Sequence, residues 1–463
     1  MMNADLYIRN GWIVTRTEMF AGGVLVLGGK IAGLVRGNPD YDLNTIDVHG
    51  QIVLPGLVDP HVHFSEPGRG HWEGFATGSR AAAVGGVTTV VEMPLNASPP
   101  TVDVDAFEMK RMAARSSLVD YGLWGGLVTD NRTSLAGLHA VGVLGFKAFM
   151  CTGSADFPRA HEVVLEDGMK QIAGFGSVLA VHAEDEHMTR SLTADMRNAG
   201  RKDTRAWGQA RPIAAELAAI QSVLKLAEKT GARLHIVHVS CASGIDLISE
   251  AKQRGIAATA ETCPHYLYFS QDDLDRIGPS AKCAPPLRAQ CEVEALWDRV
   301  LTGAVDVIAS DHSPCLLEEK AIGQSDIFEA WGGISGLQST VPALVTAGLR
   351  RGLGWIEIAR MTAMNPARLV GLGGRKGEIA PGFDADFAVV DPSASTVLTC
   401  EDLHYKNRHS AYVGERLEGW VTRTVLRGLM IQQDGRIMSD EPGGMFLSGG
   451  GQKQVEITVQ AGG

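Results

Sequence analysis

Six side chains of this 463-residue chain have the types and spacing to hold metal ions. His61 and His63 stand two apart in Asp59-Pro60-His61-Val62-His63, just after the apolar Leu57–Val58. Residues two apart in a strand face the same side, so both imidazoles point one way, as two ligands of one metal do. Lys147 lies in the apolar run Val143–Met150, His182 follows Val178–Val181, His238 follows Leu234–Val237, and Ser310-Asp311 follows Val305–Ala309. Each has an ordinary explanation alone. A single histidine at a strand end is commonly a hydrogen-bonded structural residue, an Asp after a strand often caps the next helix, and Cys263-Pro264-His265 reads equally as a packed turn. Together, at five of eight strand ends, they read as a metal centre.

Lys147 is the odd member. A buried ammonium is repelled by neighbouring cations, and an unpaired buried charge is costly. Lys147 is therefore either ion-paired or converted by carbon dioxide to a carbamate, an anionic oxygen ligand able to bridge two metals. Zinc accepts histidine nitrogen and carboxylate-like oxygen, and two metals sharing a hydroxide provide a nucleophile and a Lewis acid at neutral pH.

The elements that must position these groups alternate short apolar runs with segments of helical spacing. The runs end near His63, Pro94, Leu127, Met150, Glu184, Ser240, His265 and Pro314. Eight such units in order predict an α/β fold, a (β/α)8 barrel, whose chemistry sits at the C-terminal strand ends. Between Ile213 and Thr230, Ile220, Val223, Leu224 and Ala227, with Leu217 one turn earlier, mark a buried helix face that Gly231 stops. Strand-like runs at Leu6–Val14, Gly23–Leu27, Lys30–Val35, Asp384–Val390 and Trp420–Ile431 predict a small β-sandwich domain built from both chain ends. The expected division is residues 1–56 and 375–443 for that domain, 57–374 for the barrel and 444–463 for a mobile tail rich in Gly, Ser and Gln.

Composition narrows the class. With 45% hydrophobic and 21% charged residues the chain is ordinary globular material. Its net charge of −11 weighs against a nucleic-acid partner. The start, Met1 to Arg9, lacks the pattern of a secretory leader, and no apolar stretch is long enough to span a bilayer. Seven cysteines without a CxxC pair suit reduced thiols. The expected location is the cytoplasm.

Pro60-His61-Val62-His63, Gly145-Phe146-Lys147-Ala148-Phe149, Val181-His182-Ala183-Glu184, His235-Ile236-Val237-His238-Val239-Ser240 and Ser310-Asp311-His312-Ser313-Pro314 resemble the metal signatures of the cyclic amidohydrolases. That family includes dihydroorotase, hydantoinase and allantoinase. The Gly377–Asp386 run looks like the family's return into its β-domain, so the resemblance covers nearly the whole chain. It implies two divalent ions per chain, zinc by preference and manganese or cobalt otherwise. It places His61 and His63 on the more buried ion, His182 and His238 on the other, Lys147 between them as N6-carboxylysine, and Asp311 as ligand and proton shuttle. It also implies a small-molecule substrate whose ring polar groups are held by Ser313 and by backbone near Cys283 and Gly333, and a homotetramer. Gly332-Gly333 reads equally as a tight loop.

Within the family, Ser65 stands where dihydroorotases typically carry an Arg for the substrate carboxylate, and Met93-Pro94-Leu95-Asn96 replaces their Met-Pro-Asn. Thr152 stands where hydantoinases usually have a Tyr, which points away from bulky ring substituents. Trp72-Glu73-Gly74-Phe75, Glu261 to Leu267, Lys282 to Arg288 and Ala330 to Gly336 look like the allantoinase branch. The implied reaction is hydrolysis of the hydantoin ring of allantoin to allantoate. The alternatives are a hydantoinase or dihydropyrimidinase-like enzyme, a dihydroorotase, or a non-catalytic relative, although the last usually lacks ligands and all six are present here.

Overall fold

A computed structural model describes residues 5–449. Eight parallel strands form its centre: Leu57–Val62, Val87–Glu92, Asp120–Gly126, Gly145–Phe149, Val178–His182, Arg233–Ile236, Ala258–Thr262 and Val307–Ile308. Each pairs with its sequence neighbours. The ring closes where Val62 bridges His312 and where His63 N–H donates to the His312 carbonyl at 2.8 Å. The strands are almost wholly buried because helices cover the outside and side chains fill the inside. Val58, Val91, Trp124, Ala180, Val237 and Val307 are among that filling. The chain thus has the (β/α)8 barrel its alternation predicts, with a second sheet made by its two ends.

The eighth strand is shorter than the expected Val305–Ala309, since only Val307 and Ile308 join the ladder. The Asp59 carboxylate takes the Ser310 N–H at 3.1 Å, and the Asp306 carboxylate takes the Ala260 N–H at 2.9 Å. Side-chain acceptors thus replace ladder partners at both ends. The helix Ile213–Thr230 forms as the spacing predicts and ends on Gly231 at φ 70. Its buried face differs in one place: Leu217 is only half-buried, and Glu216 is the buried residue. Glu216 accepts from Ser240 N–H at 2.8 Å and from Arg288 at 3.0 Å, so a carboxylate is buried with its partners.

The ends of the chain build a nine-stranded sheet. Leu6–Val14 pairs in parallel with Ile52–Pro55, which pairs antiparallel with Phe387–Val397, joining the two ends. Ile8, Val24, Val53, Phe387 and Val389 belong to its separate core. The expected run Trp420–Ile431 is broken into Arg416–Leu426 and Leu429–Gln433 by a turn at Arg427 and Gly428, with φ 46 and 78. The glycine is the residue suited to that turn, and Asp386 accepts the Arg427 N–H at 2.8 Å.

Sheet and barrel are fastened by one lysine. Lys376 Nζ lies 2.6 Å from Asp120, 2.8 Å from Asp384 and 2.7 Å from Asp386. These carboxylates cluster as metal ligands would, and the ammonium already occupies the point on which they converge. The expected mobile tail from residue 444 is corrected for its first part. Tyr121 N–H donates to the Met445 carbonyl at 3.0 Å, Leu447 N–H to the Tyr121 carbonyl at 2.8 Å, and Leu447 is buried. The segment pairs with the start of the third barrel strand, which the fourth strand meets only from Trp124 onward. Residues 450–463 of that expectation lie outside the described residues.

Candidate metal centre and active site

The barrel brings His61, His63, Lys147, His182, His238 and Asp311 to one buried rim. His61 Nε2 and His63 Nε2 lie 3.2 and 3.5 Å from Asp311 Oδ1. Across the mouth, His182 Nδ1 is 3.0 Å from His238 Nε2. The His61 and His238 ring centroids are 5.5 Å apart. His238 and Asp311 have φ of 40 and 44, a region that costs a non-glycine residue about 1–3 kcal/mol. Such strain turns both side chains inward just as their strands end.

Three of the four rings that face the centre with one nitrogen are held through the other, His238 being the exception. His61 Nδ1 meets Glu261 at 2.7 Å, His63 Nδ1 meets Asn96 at 3.2 Å, and His182 Nε2 meets Glu184 at 2.7 Å. A partner on the outer nitrogen fixes the tautomer and aims the inner lone pair. Glu261 also reaches His235 at 3.0 Å and the His238 N–H at 3.2 Å, so one carboxylate ties together the chain segments that carry His61 and His238. Arg211 forms a close pair with Glu184.

The electrostatics follow from burial and these partners. Burial opposes ionisation of Asp311, but His61, His63 and His238 hold it well below the usual carboxylate range. Burial also opposes the charge on His182, yet Cys151 and Glu184 outweigh it and raise the ring to about 9. The Lys147 amine is pushed down to about 8 by burial, despite Glu261 and Asp311. Its Nζ is fully buried without a hydrogen-bond partner among the described residues, as is His238 Nδ1. Imidazole nitrogens and a carboxylate around an orphaned amine suit divalent ions once that amine becomes anionic.

The rim opens into a cavity of about 380 Å³. Ser313 lines it, and its Oγ donates to Asp311 Oδ1 at 3.2 Å. Thr152 sits at the exposed mouth, with N–H and Oγ1 donating to Glu186 at 2.6 and 2.9 Å. Cys283 and Gly333 are buried in the wall beside it, their neighbours Lys282, Ala284 and Gly332 forming the lining. The Cys283 carbonyl accepts from Trp207 Nε1 at 2.9 Å, and the Gly333 carbonyl from Lys320. Sequence reasoning left Glu261, Asn96, Glu184 and Arg211 without a role. The first three lay inside motifs already singled out, whereas nothing local marks Arg211 as the partner of Glu184.

The chain belongs to the amidohydrolase family, whose model matches residues 52–431. Its curated relatives are more specific. It is 47% identical to an allantoinase of Rubrobacter xylanophilus, covering 96% of this chain and 97% of that one. It is 42% identical to an allantoinase of Deinococcus radiodurans, covering 96% and 99%. Among solved structures, an L-hydantoinase (dihydropyrimidinase) from Arthrobacter aurescens superposes with a TM-score of 0.94 at 32% identity, covering 96% of this chain and 100% of that one. Among the described residues no helix is long and apolar enough to cross a membrane.

Proposed function

We propose that this amidohydrolase opens the hydantoin ring of allantoin to give allantoate. The observation that carries the substrate is likeness over 96% of the chain to two allantoinases, at 47% and 42% identity. The cavity's charges agree with a neutral substrate. Ser65 is buried at φ 64 with its N–H on Glu92, so no guanidinium stands there. Arg211 is committed to Glu184, and Lys282 donates to the carbonyls of Phe328 and Ala330. A substrate carboxylate would find no unpaired guanidinium among these residues, and a buried charge without its bidentate clamp is strongly disfavoured.

His61, His63 and Asp311 are assigned to one divalent ion, and His182 and His238 to the other, with zinc the expected metal. Lys147 is assigned to the position between them as a carbamate. Its lowered pKa leaves more of the neutral amine that attacks carbon dioxide, forming one N–C bond and releasing one proton. When bound, two divalent ions supply a Lewis acid for the ring carbonyl and lower the pKa of the attacking water.

Asp311 takes a proton from that water and delivers it to the leaving ring nitrogen, a general base turned general acid. Its ionised resting form matches the first role. Ser313 beside it is assigned to a ring polar group, with backbone near Cys283 and Gly333 completing the contacts and Thr152 at the mouth. Assembly as a homotetramer, supported by the family resemblance, and a cytoplasmic location, supported by cysteines without a CxxC pair, complete the reading. The test is product analysis of purified, metal-loaded protein given allantoin. Allantoate in stoichiometric yield is expected, and intact allantoin at metal saturation refutes the assignment.

A further inference from the structure

Two buried lysines beside the cavity have no acidic partner. Lys282 and Lys320 are each 2% exposed. Among the described residues no ion pair involves either, although burying an ammonium without a counterion is costly. What each holds is backbone. Lys320 Nζ donates to the Lys282 carbonyl at 3.1 Å, the Trp331 carbonyl at 2.9 Å and the Gly333 carbonyl. An ammonium has three protons, and all three are used. Lys282 Nζ donates to the Ala330 and Phe328 carbonyls and lies 4.1 Å from the Trp207 ring centroid.

These carbonyls come from two separate stretches of chain. One is the turn Lys282–Ala284, the other the loop Phe328–Gly333, and both supply cavity wall. Neither belongs to a helix or ladder that would fix it: residues 282–289 and 325–333 lie in irregular backbone. The loop is also pressed against the reacting end. A Cβ at Gly333 would meet Ser313 Cβ at 2.4 Å and Ser313 O at 2.6 Å, and Trp331 Nε1 donates to the Ser313 carbonyl at 3.2 Å. A shift of the loop therefore moves Ser313, whose Oγ reaches Asp311.

We propose that Lys320 is a positioning residue for substrate: its ammonium bolts the Lys282–Ala284 turn to the Trp331–Gly333 loop, setting the spacing of the two walls that grip the ring. This rests on the cyclic-amide reading above and names the residue that shapes its binding site. Lys320 touches neither substrate nor metal ligand. Three hydrogen bonds to carbonyls repay much of the ammonium's lost hydration, and a costly group kept in such a place serves geometry.

The test compares wild type with Lys320→Met, both fully metal-loaded, by steady-state kinetics on allantoin and by metal content. Walls that grip ground state and transition state alike act on KM. The expected result is a KM about tenfold or more higher, kcat within about threefold, and unchanged metal content. Lys320→Arg, which keeps donors and charge, should lie between the two. A merely structural role instead lowers apparent kcat with the fraction of active protein and leaves KM alone, and that result overturns the proposal, as does unaltered kinetics in folded Lys320→Met. Where Lys320→Met does not fold, Lys320→Gln, which supplies two of the three donors, is read by the same criteria. Wild type that turns over a 5-alkyl hydantoin and not allantoin defeats the substrate assignment alone, and the KM comparison is then made on that hydantoin.

Discussion

His182 Nδ1 stands 3.0 Å from His238 Nε2 while Glu184 grips the other nitrogen of His182 at 2.7 Å. Two imidazole nitrogens this close share either a proton or a cation. With Glu184 accepting the outer N–H, it is the inner proton of His182 that a cation displaces, leaving a lone pair aimed at the point His238 also faces.

Glu184→Gln tests that arrangement. An amide carries no charge to offset the buried ring and Arg211, and it can present its NH2 where the carboxylate oxygen stood. The ion held by His182 and His238 is expected to bind about 10–100-fold more weakly, the usual effect of losing an outer partner. The ion at His61, His63 and Asp311 should be retained. Chelator competition followed by metal analysis reads the two apart, and equal loss of both ions contradicts the assignment.

Lys147→Ala removes the proposed shared ligand. Metal content should fall below two equivalents per chain and activity should vanish, while a short carboxylic acid, as a surrogate for the carbamate, restores part of it. Mass or crystallographic data showing an unmodified Lys147 in fully metallated, active enzyme would falsify the carbamate.

Asp311→Asn keeps an oxygen donor and loses the proton shuttle. A decrease in kcat of about 100- to 10,000-fold is expected in folded protein. Retention of more than about a tenth of wild-type turnover, some 1.4 kcal/mol of barrier, removes Asp311 from the role.

Lys376→Met concerns stability alone. It leaves Asp120, Asp384 and Asp386 crowded without their shared ammonium. Removing one partner of a buried ion cluster costs about 3–5 kcal/mol. Urea unfolding should show that loss while the metal content of the surviving folded protein stays at the wild-type value. A midpoint equal to wild type refutes the bolt between sheet and barrel.

The residues gathered at the rim were readable because their signal is local. A strand's two-residue period puts His61 and His63 on one side, and apolar runs ending in a polar residue mark the barrel rim. Glu261 was not readable as the partner of His61, since their bond joins residues 200 apart in the chain. The Lys320 cage is equally hidden, because carbonyl acceptors have no sequence signature. The buried Glu216 broke the apolar periodicity for the same reason: its partners Ser240 and Arg288 come from other elements. The packing of residues 444–449 escaped a composition argument because backbone bonds to Tyr121 hold them, and Gly and Ser make those as well as any residue.

The most direct measurement is kcat/KM for allantoin, a 5-alkyl hydantoin, dihydrouracil and dihydroorotate, side by side at one metal loading. Allantoin should be turned over with the highest kcat/KM and dihydroorotate with the lowest, since the arginine lining the cavity, Arg211, is already paired with Glu184 and offers the dihydroorotate carboxylate no bidentate clamp. Faster hydrolysis of the 5-alkyl hydantoin or of dihydrouracil than of either allantoin enantiomer contradicts the assignment and moves the enzyme to the hydantoinase branch.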